Sequence, residues 1–124
     1  MESNMARILT VDDSPSMLKM VTVTLTGAGH SVATAADGCE ALAVARSETF
    51  DLVVTDVNMP NMDGITLVRE LRALPPYRYV PLLILTTEGT AERKDQGRKA
   101  GATGWLVKPF NPEKLLAVIA KVLG

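Results

Sequence analysis

The chain has 124 residues, of which 47% are apolar and 22% charged, with a formal net charge of -1; that suits one globular domain with a sizeable core and is too short for two. The near-neutral balance gives no electrostatic support for a nucleic-acid partner, and the lone Cys39, read as a small helix residue, cannot close an internal disulfide and fits a reducing compartment. No run reaches the ~18 apolar residues of a membrane span, and Met1 to Ala6 lacks a signal-peptide core, so a cytoplasmic protein without a membrane partner is expected.

Residues 1–5 are expected to be a mobile N-terminus and residues 6–124 a single domain. Arg7 to Val11 predicts a first strand, ended by Asp12-Asp13. Ser14 then supplies a helix cap and Pro15 a first helical residue whose missing N–H costs nothing, so a helix runs to about Gly27. Ser31 to Ala35 alternates polar and apolar residues, which places a strand at the sheet edge. Asp37 and Glu40 have capping-box spacing and open a helix through about Ser47. Leu52 to Thr55 predicts a buried strand tipped by Asp56, followed by the turn Met59-Pro60-Asn61-Met62-Asp63-Gly64.

Asp63-Gly64 starts a third helix with Ile65, Val68 and Leu71 on one face, stopped by Pro75-Pro76. Val80 to Leu85, almost wholly apolar, predicts a strand covered on both faces, with Pro81 tolerated near its start. Thr90 caps a helix of mixed charge that ends by Gly101, and Thr103 to Val107 is a short fifth strand. Asn111-Pro112 repeats the cap-plus-proline signal for a last helix, whose Leu115, Leu116, Ile119, Val122 and Leu123 form its apolar face.

Five strands alternating with five helices predict an α/β fold, a parallel sheet in the order 2-1-3-4-5 with helices on both faces. That order sets the tips of strands one and three side by side, and Asp12, Asp13 and Asp56 converge there. Clustered carboxylates repel, so either protons are taken up or a cation arrives. Oxygen donors without His or Cys suit a hard ion such as Mg²⁺. Taken singly, Asp13 and Asp56 also read as ordinary loop or cap residues.

Four segments carry a family resemblance: Val11-Asp12-Asp13-Ser14; Asp56 with Met59 to Gly64; Leu85-Thr86-Thr87-Glu88; and Gly101 to Phe110, with Lys108-Pro109-Phe110 at its end. In this order and at this spacing the chain resembles the receiver domains of two-component response regulators, and more narrowly the stand-alone CheY-type chemotaxis regulators. The resemblance implies a flavodoxin-like (βα)5 three-layer sandwich and a signalling domain that catalyses only its own phosphorylation and dephosphorylation. Asp56 would be the phosphoacceptor, taking a phosphoryl group from a histidine kinase. Mg²⁺ would be held by Asp13, Asp56 and the Asn58 backbone carbonyl, with Asp12 acting through water. Lys108 would contact the phosphoryl group through an ammonium aimed by a cis Lys108–Pro109 bond, and Thr86 would be the switch hydroxyl.

Trp105 stands where many relatives carry Tyr or Phe. Its bulk leaves two alternatives to the family's inward rotation open, a ring that stays partly exposed on the partner face and contacts the partner directly, or a plain core tryptophan. Asn58 and Glu88 would border the path of a hydrolytic water, implying a short-lived signal, compatible with an auxiliary phosphatase. The fourth helix, with Arg93, Lys94, Arg98 and Lys99, and the last, with Lys114 and Lys121, would make a locally basic face able to dock an acidic or amphipathic peptide, or simply a solvated one.

Competing readings are an Asp-nucleophile phosphatase of the haloacid dehalogenase type, which wants a second acid where Asn58 stands; an FMN carrier, whose phosphate Asp12-Asp13 would repel; and a binding module that accepts no phosphate. With no output domain expected after Gly124, the signal would leave by protein–protein contact from a monomer. The first-choice target is a flagellar motor switch protein, and the alternative is a phosphate sink or a regulator of a non-chemotaxis pathway.

Overall fold

The computed structural model describes residues 5–124, so the expected mobile N-terminus lies outside it except for Met5. The chain alternates β1 (Arg7–Val11), α1 (Pro15–Gly27), β2 (Ser31–Ala35), α2 (Gly38–Ser47), β3 (Leu52–Thr55), α3 (Gly64–Arg72), β4 (Leu82–Thr86), α4 (Ala91–Ala100), β5 (Gly104–Val107) and α5 (Pro112–Leu123). The strands form one parallel sheet in the order β2-β1-β3-β4-β5, as the alternation of elements predicts.

Each helix begins where its cap chemistry places it. Ser14, Asp37, Asp63, Thr90 and Asn111 all have extended backbones, and each side chain accepts an N–H from the first turn of its helix. At α2 the capping box closes one residue further out than the motif implies, because the Glu40 carboxylate accepts from Ala36 N–H rather than from the cap residue itself.

Two apolar layers cover the sheet. On one face Leu9, Val53, Ile84 and Tyr77 pack with α2 and α3; on the other Ile8, Val54, Leu83 and Leu85 pack with α1 and α5. Strands β3 and β4 are buried along their whole length and β2 is partly exposed, as expected for central and edge strands. Three boundaries differ from expectation. Strand β4 runs Leu82–Thr86 rather than Val80 to Leu85, since Pro81 lies just before it; β5 starts at Gly104 because Thr103 instead binds Leu82 through its main-chain N–H and its hydroxyl. In α5 only Leu115 and Ile119 are fully buried, and Leu116, Val122 and Leu123 are half-buried.

A short 3-10 turn, Pro75–Tyr77, follows α3 and places the buried Tyr77 ring in the core. Its hydroxyl lies within hydrogen-bonding distance of the Ala45 and Glu48 carbonyls and accepts from Phe50 N–H. Burial raises the phenol pKa, with Phe50 N–H opposing, so the neutral donor persists well into the alkaline range. Tyr77→Phe is expected to cost about 1–3 kcal/mol, the penalty for leaving such partners unmade, measured as a lower denaturation midpoint at unchanged m-value.

Candidate functional site

Register positions the site. Val11 pairs with Thr55 across β1 and β3, so Asp12 and Asp56 each follow the last paired residue of adjacent strands. Thr86 pairs with Val107 across β4 and β5, which sets Lys108 one residue beyond its strand. Asp56 N–H donates to the Val11 carbonyl at 2.9 Å, and Lys108 N–H to that of Thr86 at 2.7 Å, extending the ladder to the residues that carry the charges.

Carboxylate oxygens of Asp12, Asp13 and Asp56 lie within 4.8 Å of one another. Asp12 and Asp56 are only 4% and 8% exposed, whereas Asp13 faces solvent. The Lys108 Nζ sits 2.8 Å from Asp12 Oδ2 and 3.2 Å from Asp56 Oδ2. Burial by itself would lower the lysine pKa, but the hydrogen bond to Asp12 and the charges of Asp56 and Asp12 more than reverse this and raise it. Because the folded-state value is the higher one, this contribution to stability is complete below the ordinary lysine value of about 10.4 and is lost only as pH rises through the folded-state value. One ammonium against three carboxylates leaves the cluster net negative.

The second carboxylate oxygens of Asp12 and Asp56 are held by main chain. Val57 N–H donates to Asp56 Oδ1 at 2.7 Å, and Ser14 N–H donates to Asp12 Oδ1 at 3.0 Å. Neither donor can be picked out of a sequence, since every residue but proline offers one.

The loop from Val57 to Asp63 is anchored at both ends. Gly64 N–H donates to the Val57 carbonyl at 2.9 Å, and a Cβ at Gly64 would lie 1.9 Å from the Asp56 carbonyl oxygen. No side chain fits against that backbone, so the glycine serves the close approach as well as the helix start. Asn61 adopts a φ of 70°, the left-handed region that Asn tolerates, and its side-chain amide donates to Asp37 Oδ2 at 2.7 Å. The Glu40 N–H and this amide hold the Asp37 carboxyl below its usual range. The turn chemistry of Asn61 was legible in the sequence; its tie to α2 was not.

Thr86 is fully buried, and its Oγ1 accepts from Glu88 N–H at 3.3 Å. The Glu88 carboxylate accepts from the Asn58 amide at 3.3 Å, so the two residues expected to flank a hydrolytic water touch each other. Trp105 is half-buried, and its indole N–H donates to the Glu88 carbonyl at 2.8 Å. The Lys108–Pro109 peptide is cis. Asp12, Asp13, Asp56 and Lys108 thus share one cluster, and Asn58, Glu88, Thr86 and Trp105 form a connected chain.

The model of the response regulator receiver domain matches residues 8–120. The chain belongs to the response regulator receiver family. This receiver is similar to the chemotaxis response regulator CheY4 of Vibrio cholerae, at 52% identity and a TM-score of 0.91 over 95% of this chain and 98% of that one. It is 40% identical over 116 residues to the transcriptional regulatory protein ZraR of Salmonella typhimurium; the match covers 94% of this chain but only 26% of ZraR. A third likeness is the receiver domain of the sensor histidine kinase PA1611 from Pseudomonas aeruginosa, solved with a magnesium ion coordinated in its active-site cleft, at 29% identity and a TM-score of 0.90 over 97% of this chain and 98% of that one.

As a receiver the chain is a signalling domain of a two-component system rather than a conventional enzyme. Among the described residues no helix is long and apolar enough to cross a membrane.

Proposed function

We propose that this receiver relays a signal by accepting a phosphoryl group on Asp56 from a phosphohistidine of a histidine kinase, and thereby changes its affinity for a target protein. The observation that carries the reading is Lys108, whose Nζ spans Asp12 and Asp56 within a cluster of three acids. An oxygen of Asp56 forms the new P–O bond as the P–N bond of the donor breaks, and the electron pair of that bond leaves with the donor imidazole. Little covalent assistance is needed, since phosphoryl transfer depends mainly on alignment and charge cancellation.

The donor set fits Mg²⁺: all ligand atoms are oxygens, they are close enough to share one ion, and they retain an uncompensated negative charge. Asp13, Asp56 and the Asn58 backbone carbonyl would hold it, with Asp12 contributing through water. When bound, the ion supplies charge neutralisation between the acids and the incoming phosphoryl oxygens. Val57 N–H keeps the acceptor carboxylate oriented. Lys108 presents its ammonium to the phosphoryl oxygens, and Thr86 exchanges its Glu88 N–H partner for one of them. Asn58 and Glu88 tune hydrolysis of the acyl phosphate, which an auxiliary phosphatase could accelerate.

The output face is the one around Trp105. A groove of about 760 Å³ beside the indole is bordered by Lys94 and Arg98 and equally by Glu92 and Asp95, the last paired with Arg98, whereas a second, of about 360 Å³, is lined by Trp105, Phe110, Lys94 and Lys114 and by no acid. The second groove, with aromatic walls flanked by cations, suits an acidic, amphipathic segment. The likeness to CheY4 supports chemotaxis and a flagellar motor switch protein as target, in the cytoplasm; the 40% identity to the ZraR receiver supports a regulator of another pathway as the second reading.

Incubation with a labelled small-molecule phosphodonor or a phosphorylated histidine kinase tests the reading. Label should appear only with Mg²⁺ and should be absent from Asp56→Asn; label retained in that variant would reject Asp56 as acceptor. Beryllofluoride with Mg²⁺ should change the emission of Trp105, the sole tryptophan, whereas Mg²⁺ alone should change it little.

A further inference from the structure

Gly97 lies in the middle of α4, where glycine is the poorest choice short of proline for an ordinary helix. It is buried, and a Cβ built there would lie 2.7 Å from Trp105 Cζ3 and 2.9 Å from its Cε3, with Ile84 Cδ1 at 3.2 Å. The indole therefore rests against the bare backbone of α4. From that seat its N–H reaches the Glu88 carbonyl, while Glu88 N–H holds the Thr86 hydroxyl and the Glu88 carboxylate takes the Asn58 amide.

We propose that Gly97 is a positioning residue matched in size to Trp105. The missing side chain gives the indole the room from which it tethers Glu88, whose N–H in turn holds the Thr86 hydroxyl. Seating the ring and setting the ease of phosphoryl binding are then one act, because a ring pushed off α4 releases the carbonyl that fixes the loop between β4 and α4. The mechanistic half rests on Asp56 being the acceptor; the steric half does not.

The test is a square of variants: wild type, Gly97→Ala, Trp105→Phe and the double variant. A phenyl ring lacks the two indole atoms that a Cβ would meet, while Ile84 stays in place, so the square separates the tryptophan from its neighbour. Alanine in a helix interior ordinarily stabilises relative to glycine. Gly97→Ala is therefore expected to lower Tm by several degrees when Trp105 is present and to raise it in the Trp105→Phe background. If Gly97→Ala alone fails to fold, recovery of folding in the double variant supports the pairing.

In folded Gly97→Ala the Trp105 emission should move to the red as the indole gains solvent. The half-saturating beryllofluoride concentration should shift about threefold, the worth of the one hydrogen bond lost from the loop between β4 and α4. A rise in Tm in both backgrounds, a loss of folding in both, an unshifted emission or an unchanged half-saturating concentration would each overturn the proposal. Should wild type itself give no Asp56-dependent response to beryllofluoride, the acceptor reading fails instead, and the melting and emission measurements still decide the pairing.

Discussion

Lys108→Ala is expected to bind Mg²⁺ about tenfold more tightly than wild type, a gain of on the order of 1.4 kcal/mol, while its phosphorylation falls by about two to three orders of magnitude, the usual cost of removing one charge-stabilising donor from a reacting centre. The two effects oppose each other because the ammonium plays two parts. It partly neutralises Asp12 and Asp56 at 2.8 and 3.2 Å, and so competes with any divalent ion for the same carboxylates. During transfer it faces a group that brings further negative charge. Titration of Mg²⁺ followed by the change in Tm, alongside the label assay, separates them. Equal weakening of both would mean that Lys108 acts only by supporting the local structure.

Arg72→Ala should lower stability by about 3–4 kcal/mol, reckoned from several charge-assisted hydrogen bonds lost at once, and with it Tm by roughly 10–15 °C for a domain of this size. This guanidinium has no carboxylate partner among the described residues; it donates instead to main-chain oxygens. Its Nε and Nη2 reach the Gly101 carbonyl at 3.0 and 2.8 Å, and Nη1 reaches those of Tyr77 and Val80 at 2.7 and 2.6 Å. One side chain thereby satisfies the segment before β4 and the turn before β5 together. Desolvation presses its pKa down without discharging it, since arginine stays protonated in proteins. Arg72→Lys should recover only part of the loss, because an ammonium on a flexible stem cannot reproduce the planar fork. Full recovery would mean that charge alone matters there.

What was legible in the sequence was chiefly local. Each cap residue names its helix within three positions, and the Pro, Gly and Asn punctuation marks the turns, so element order could be read directly. The convergence of Asp12, Asp13 and Asp56 follows from strand order plus their places at strand tips. Lys108 entered through the family resemblance, because nothing in a lone lysine 52 residues beyond Asp56 shows that they meet. Arg72 and Tyr77 escaped notice for a related reason. Their main-chain partners lie up to 29 and 32 residues away, and main-chain groups leave no signature in a sequence. Gly64 read as a helix start and Gly97 drew no reading, and only the packed neighbours show what their missing side chains permit.

The shared level at which the strands stop pairing has a consequence for how this chain tolerates change. Since Val11 and Thr55 face each other and each is followed at once by an acid, one residue inserted between Thr55 and Asp56 would carry the carboxylate about 3.3 Å along the strand axis and turn it to the opposite side of the sheet. Grafts and length variants of this scaffold thus have no latitude at the rim where the acids stand.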